Sequence, residues 1–302
     1  VNTGSRKDGE IMKKLLAVTI AAVMMTGLLA GCGAGETAAQ DTTTEAPEET
    51  AAQENADAAQ EDSEQADASA EGRTFTVGFD AEFPPYGYMD ENGEYTGFDL
   101  ELAAEVCSRN GWTLVKQPID WDAKDMELSS GAIDCIWNGF TMNGREDEYA
   151  WTDPYVDNSQ VFVVKADSGI ATFADLAGKS VAVQTDSSAE AALKEDDNKE
   201  LKDSFKELVV VSDYNTAFMN LDSNAVEAIA MDIGVAKYQM ESRDGEYKIL
   251  DDVLSAEQYA VGFAKNNTEL RDKVQKTLDE MRKDGKFAEI AEKWDLTDSV
   301  ID

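Results

Sequence analysis

The sequence contains no histidine. That removes the side chain whose ordinary pKa lies nearest neutrality, the commonest metal ligand, and the base of Ser-His and Cys-His nucleophile pairs. No metal site and no nucleophilic mechanism is expected, and no cofactor is implied. Cysteine is nearly as scarce, with Cys32, Cys107 and Cys135 in 302 residues. Three cysteines make no disulfide framework, and Cys107 and Cys135 fall in apolar segments and read as buried thiols. Positive charge is short too: 26 Lys and Arg stand against 62 Asp and Glu, a formal net charge of −36. A surface of that sign repels phosphate, so nucleic acid and anionic lipid are not expected as partners.

The acidity is uneven. The segment 33–72 carries twelve acids and no Lys, Arg or aromatic residue. Such a composition cannot bury enough apolar surface to offset chain entropy, so the segment is expected to be disordered and held extended by its own charge. From Arg73 onward 48 acids face 22 bases, and this stretch is long enough for two small cores.

Upstream, Met12-Lys13-Lys14 precedes an apolar run from Leu15 to Ala30 that is too short and too weakly flanked for a stop-transfer helix. It ends in Leu29-Ala30-Gly31-Cys32, which resembles the lipobox of bacterial lipoproteins. The resemblance implies cleavage before Cys32 and a diacylglycerol on its thiol. Residues 1–31 therefore read as an upstream extension (1–11) and a lipoprotein signal peptide. Residues 32–72 read as the lipid-bearing cysteine and an acidic tether, which hold a secreted domain at the outer face of a bacterial cell membrane.

From Thr74 strands and helices alternate. Phe75–Phe79 has a period of two. Phe98–Asn110 carries apolar residues at helical spacing and meets a stop at Gly111. Thr113–Val115, a helix Asp122–Ser130 and a buried strand Ile133–Trp137 follow. Further on the pattern predicts a short helix at 173–177, a strand at 180–184, a helix at 188–194, a strand at 207–211, a helix at 214–221, a strand at 226–231 and a helix at 233–240. It closes with a strand at 259–263 and helices at 268–284 and 286–294. Alternating β and α predicts an α/β fold with mainly parallel sheets. Ligands in such folds sit beyond the carboxyl ends of strands.

The segments Val77-Gly78-Phe79-Asp80-Ala81-Glu82-Phe83-Pro84-Pro85-Tyr86, Gly97-Phe98-Asp99-Leu100-Glu101-Leu102, Asn138-Gly139-Phe140-Thr141 with Arg145, Trp151-Thr152-Asp153-Pro154-Tyr155, Asp175-Leu176-Ala177-Gly178-Lys179, Val183-Gln184 running to Ser187-Ser188, Met231-Asp232 and Gly262-Phe263-Ala264-Lys265 are weak singly. Their order and spacing resemble the extracellular solute-binding proteins, family 3, the polar amino-acid receptors of ABC transporters. The likeness covers nearly all of 74–297. It implies a type II periplasmic-binding-protein-like fold of two lobes, residues 73–158 plus 259–302 and residues 159–258, joined by a two-strand hinge near 155–160 and 257–262. It also implies a monomer that closes on a free L-amino acid and delivers it to the transporter's permease.

An amino-acid receptor must satisfy a carboxylate, an ammonium and a side chain. Arg145 can bind the carboxylate in bidentate fashion, with N–H and hydroxyl donors from Ser187 and Ser188 at a helix start. The family assigns the ammonium to Asp232 and Thr141, with Asn138 and Gly139 on the same loop as Thr141. Phe83 and Trp121 match its two stacking aromatics. Asp80, Glu82 and Asp122 can read the far end of a polar or basic side chain. Read without the family, Asp232 is equally a helix N-cap, Arg145 a surface ion pair, and Phe83 and Trp121 core residues. Two departures stand out. The Thr141–Arg145 loop is one residue short of the usual spacing, and Asp186 stands where the family often has glycine. A cyclohexadienyl dehydratase-like enzyme would use a cleft acid such as Glu82 as proton donor on this same scaffold. A sensor module would add a signalling domain.

Overall fold

The computed structural model describes residues 72–301 apart from 242 and 244. The expectations for the signal peptide, Cys32 and most of the acidic tether lie outside the described residues.

The first sheet is built on the strand Thr74–Phe79, paired in parallel with Thr113–Pro118 on one side and Cys135–Ile136 on the other. Its alternation buries Phe75, Val77 and Phe79 completely. The helix Phe98–Asn110 turns Leu102, Ala103 and Val106 inward and stops at Gly111, whose φ of 67° lets its N–H reach the carbonyls of Cys107 and Ser108. The strands Gly262–Ala264 and Tyr149–Trp151 complete the sheet in antiparallel register.

The second sheet runs Glu207–Val211, Ser180–Gln184, Ala228–Asp232, Val156–Lys165 and Tyr247–Ile249, with Ser255–Tyr259 also paired to Val156–Lys165. The first three strands are parallel to one another, and every pairing made by Val156–Lys165 is antiparallel. Both sheets of the expected two-lobed α/β fold thus carry parallel strands, with antiparallel pairs added where the chain crosses between them. The cause is the return crossing. The chain leaves the first sheet after Trp151, enters the second at Val156 and comes back from Tyr259 to Gly262, so the connecting strands run against their neighbours. The two crossings form one ladder, with Tyr259 opposite Val156 and Ser255 opposite Gln160. The expected boundaries at 158/159 and 258/259 fall inside that ladder.

Phe83, Tyr86 and Tyr259 join Tyr214, Met231 and Val235 in a single apolar cluster that runs from one sheet's side to the other's. The two halves are closed on each other. Gly234 makes this possible: a Cβ there would lie 2.4 Å from the Tyr86 hydroxyl. Cys107 and Cys135 are buried and unbridged.

Candidate functional site

Side chains on a strand share a face at every second residue. Asn158 and Gln160 therefore point the same way from the central crossing strand. Gln160 is in register with Asp232 on one neighbour, and Asn158 with Glu257 on the other. This register gathers a buried polar centre. Asp232 Oδ1 accepts from Asn158 Nδ2 at 2.8 Å, Gln160 Nε2 at 2.7 Å and the Tyr259 hydroxyl at 2.6 Å, and Oδ2 accepts from the Tyr214 hydroxyl at 3.2 Å. Glu257 Oε1 accepts from the same two amide nitrogens, at 2.7 and 2.8 Å, and from the Thr141 hydroxyl at 2.8 Å. Neither carboxylate is ion-paired with a Lys or Arg among the described residues. Burial pushes the Asp232 carboxyl above its ordinary range. Burial and then the Asp232 charge push Glu257 up to about 7. All four partners of Asp232 are side chains, so it is not acting as a helix N-cap.

Arg145 follows a tight turn in which its N–H bonds the Met142 carbonyl at 3.0 Å and Gly144 takes a φ of 79°. The shortened loop thus turns the guanidinium back over Phe140, 5.3 Å from the ring centre. Nη1 donates to the Thr141 carbonyl and to Ser188 Oγ, both at 3.2 Å. All its acceptors are neutral: Arg145 has no ion-pair partner among the described residues. Asp186 takes the left-handed conformation that glycine favours, φ 54°, and its carboxylate is taken up by the fully buried Lys124 from the opposite lobe. Ser187 spends its hydroxyl capping the helix Ser188–Lys194, accepting from the Glu190 N–H at 3.2 Å.

Beside these groups a cavity of about 640 Å³ is lined by Asp80, Glu82, Asp120, Asp122, Glu127 and Asp213, with Trp121 and Thr185 on its wall and no basic residue. Asp80 accepts from the Glu82 N–H at 2.8 Å and from Gln184 Nε2 at 2.7 Å. Burial outweighs these bonds and raises its carboxyl to about 6. Glu82 accepts from Asn215, across the cleft. Asn138 holds the Asp80 N–H at 2.9 Å and leaves its own buried Nδ2 without a partner. Gly139, at φ 55°, sits where a Cβ would meet Phe83 and Tyr259 at 2.9 Å, and its N–H bonds Asp99 at 2.6 Å. Trp121 packs near-perpendicular to Phe140, ring centres 5.5 Å apart, and lines the cavity, whereas Phe83 is enclosed by Tyr86 and Tyr214, at 5.8 and 5.9 Å.

Apart from Ser187, which caps its helix, eight of the sequence-selected residues therefore fall into three groups. Asp232 and Thr141 meet around Glu257, Arg145 meets Ser188, and Asp80, Glu82, Trp121 and Asp122 line the cavity. Asn138, Gly139 and Phe83 lie behind them as packing.

Residues 75–297 match the family described as bacterial extracellular solute-binding proteins, family 3. The chain belongs to that family. Its relatives include the L-cystine-binding protein TcyJ of Escherichia coli, 27% identical over 224 residues that make up 73% of this chain and 82% of the relative. The arginine-binding extracellular protein ArtP of Bacillus subtilis is 27% identical, over 72% of this chain and 84% of the relative. Among solved structures, a substrate-binding protein of an ABC uptake transporter from Streptococcus pneumoniae with bound histidine superposes with a TM-score of 0.70 at 37% identity, over 73% of this chain and 92% of that one. An ancestral arginine-binding protein bound to arginine gives 0.67 at 36% identity, over 73% and 97%.

The sequence-selected residues did not include Glu257, Asn158, Gln160 and Tyr214, and left Gln184, inside a family motif, without a role. The available signal was the alternation Asn158, Gln160, two amides on one face of a strand that continues as the apolar run Val161–Val164.

Proposed function

We propose that this family 3 protein is the substrate-binding lipoprotein of an ABC transporter, anchored through Cys32. It captures a free L-amino acid with a polar or basic side chain by closing its lobes, and delivers it to the permease. It works as a monomer and a binder, not as an enzyme. The observation that carries the reading is unmatched charge of both signs on the two sides of Thr141, whose carbonyl accepts from Arg145 and whose hydroxyl donates to Glu257 beside Asp232. Among the described residues Arg145 lacks an anion and Asp232 lacks a cation. An α-carboxylate on Arg145 and Ser188, and an α-ammonium on Asp232 and Thr141, complete both. The acidic cavity beyond Trp121 suits a side chain carrying positive charge or hydrogen-bond donors, as in the arginine- and histidine-bound structures named above.

The test is a thermal-shift panel of the common L-amino acids on full-length protein that has been unfolded and refolded to strip carried-over ligand. A ligand at about 100 times its Kd adds about 2.7 kcal/mol, roughly 5–10 °C in a domain of this size. A shift with one or a few amino acids supports the reading. A folded protein silent to all of them removes the amino-acid assignment and leaves the family.

A further inference from the structure

Asp232 and Glu257 are two buried carboxylates whose nearest oxygens share the same two amide nitrogens. Every donor that reaches them is neutral: Asn158, Gln160, and the hydroxyls of Thr141, Tyr214 and Tyr259. Of the titratable groups facing the pair, Tyr86, Tyr214 and Tyr259 are phenols held neutral by burial. The guanidinium of Arg145 stops at the Thr141 carbonyl. Two buried carboxylates with no cation do not both ionise; one proton shared between them relieves the repulsion. The same two amides leave Asn158 Oδ1 and Gln160 Oε1 buried with no partner. A group with several N–H donors and a positive charge is what this centre lacks. Neither hydroxyl nor guanidinium supplies it within the protein, and an ammonium does.

We infer that Glu257 is the second acid of the ammonium site, and that the free protein holds a proton on the Asp232–Glu257 pair which passes to solvent when the ligand's α-ammonium binds. This rests on the amino-acid reading above. Proton and ligand then compete for one place. Affinity is flat at pH values where the pair has lost its shared proton, and falls toward tenfold per pH unit below that.

The experiment is calorimetry of the refolded full-length protein with the best amino acid of the panel, at pH 6.5, in buffers of low and high ionisation enthalpy. The expected heat varies linearly with buffer enthalpy, with a slope of about one proton released. Glu257→Gln keeps the hydrogen bonds and removes the second acid. It is expected to bind with a slope near zero and with affinity unchanged between pH 5.5 and 7.5. A wild-type slope of zero, or a Glu257→Gln protein with the wild-type slope, overturns the inference. Should circular dichroism find that variant unfolded, the wild-type pH series decides, and an affinity flat from pH 7.5 to 5.5 overturns it. No heat with any amino acid removes this inference together with the reading it rests on, whereas heat without buffer dependence removes this one alone.

Discussion

At Arg145 a half-buried guanidinium has only neutral acceptors, and at Asp232 a buried carboxylate has only neutral donors. Each leaves one ligand charge unpaired when removed. Arg145→Ala and Asp232→Ala are each expected to cost about 2–5 kcal/mol of binding, some thirty- to several-thousand-fold in Kd. Titration calorimetry that puts either variant within threefold of wild type contradicts the assignment. These two residues were legible because chemistry marks them: an acid ending an apolar strand, and an arginine just past another. Glu257 was not, since Ser255-Ala256-Glu257-Gln258 reads as exposed and polar, and only strand register turns its side chain inward opposite Asn158. The partner of Lys124 was equally hidden. Lys124 lies in a helix start rich in acids, yet its ammonium crosses the cleft to Asp186 and the residue is buried to 1% exposure. Asp186 is thereby matched within the protein instead of repelling a ligand carboxylate.

Elements with clear periodicity came through to the residue: Phe98–Asn110, Ser180–Gln184, Ser188–Lys194 and Glu207–Val211. The failures have physical causes. Val156–Lys165 begins as an alternating hinge strand and ends as a fully buried run, so no single period describes it. The predicted strand 259–263 is two strands, Ser255–Tyr259 and Gly262–Ala264, because the chain changes sheets between them. The strands Glu82–Phe83, Gly87–Met89 and Tyr95–Thr96 are too short to carry a pattern. At this scale the two halves pack tightly where the start of the helix Ile233–Glu241 meets Tyr86. Gly234→Ala places a methyl where the Tyr86 hydroxyl now lies. Overpacking of that kind costs about 1–3 kcal/mol. The variant is expected to fold normally, to bind about five- to 150-fold more weakly, and to keep a larger radius of gyration in saturating ligand. Small-angle scattering that finds wild-type compaction with unchanged affinity contradicts the closed packing.

For the whole molecule, the buried acids set the pH dependence of stability. Burial raises Asp80 to about 6, Asp99 to about 7 and Glu257 to about 7, and raises Asp232 as well. Through pH 4–7 the folded state then holds more protons than the unfolded chain, so stability without ligand grows as the pH falls from neutrality toward 5. Each tenfold gain in a carboxylate's proton affinity on folding is worth about 1.4 kcal/mol. The Tm of ligand-free protein is expected to be about 3–8 °C higher at pH 5.5 than at pH 7.5, and a Tm that falls over this range refutes the argument. The central claim, that one cleft recognises both ends of a free amino acid by opposite unmatched charges, is tested most directly by its derivatives. Calorimetry would compare the best L-amino acid with its α-methyl ester, which removes the carboxylate charge, and its Nα-acetyl form, which removes the ammonium. Both derivatives are expected to bind about a hundredfold more weakly or not at all. Either one binding within threefold of the free amino acid contradicts it.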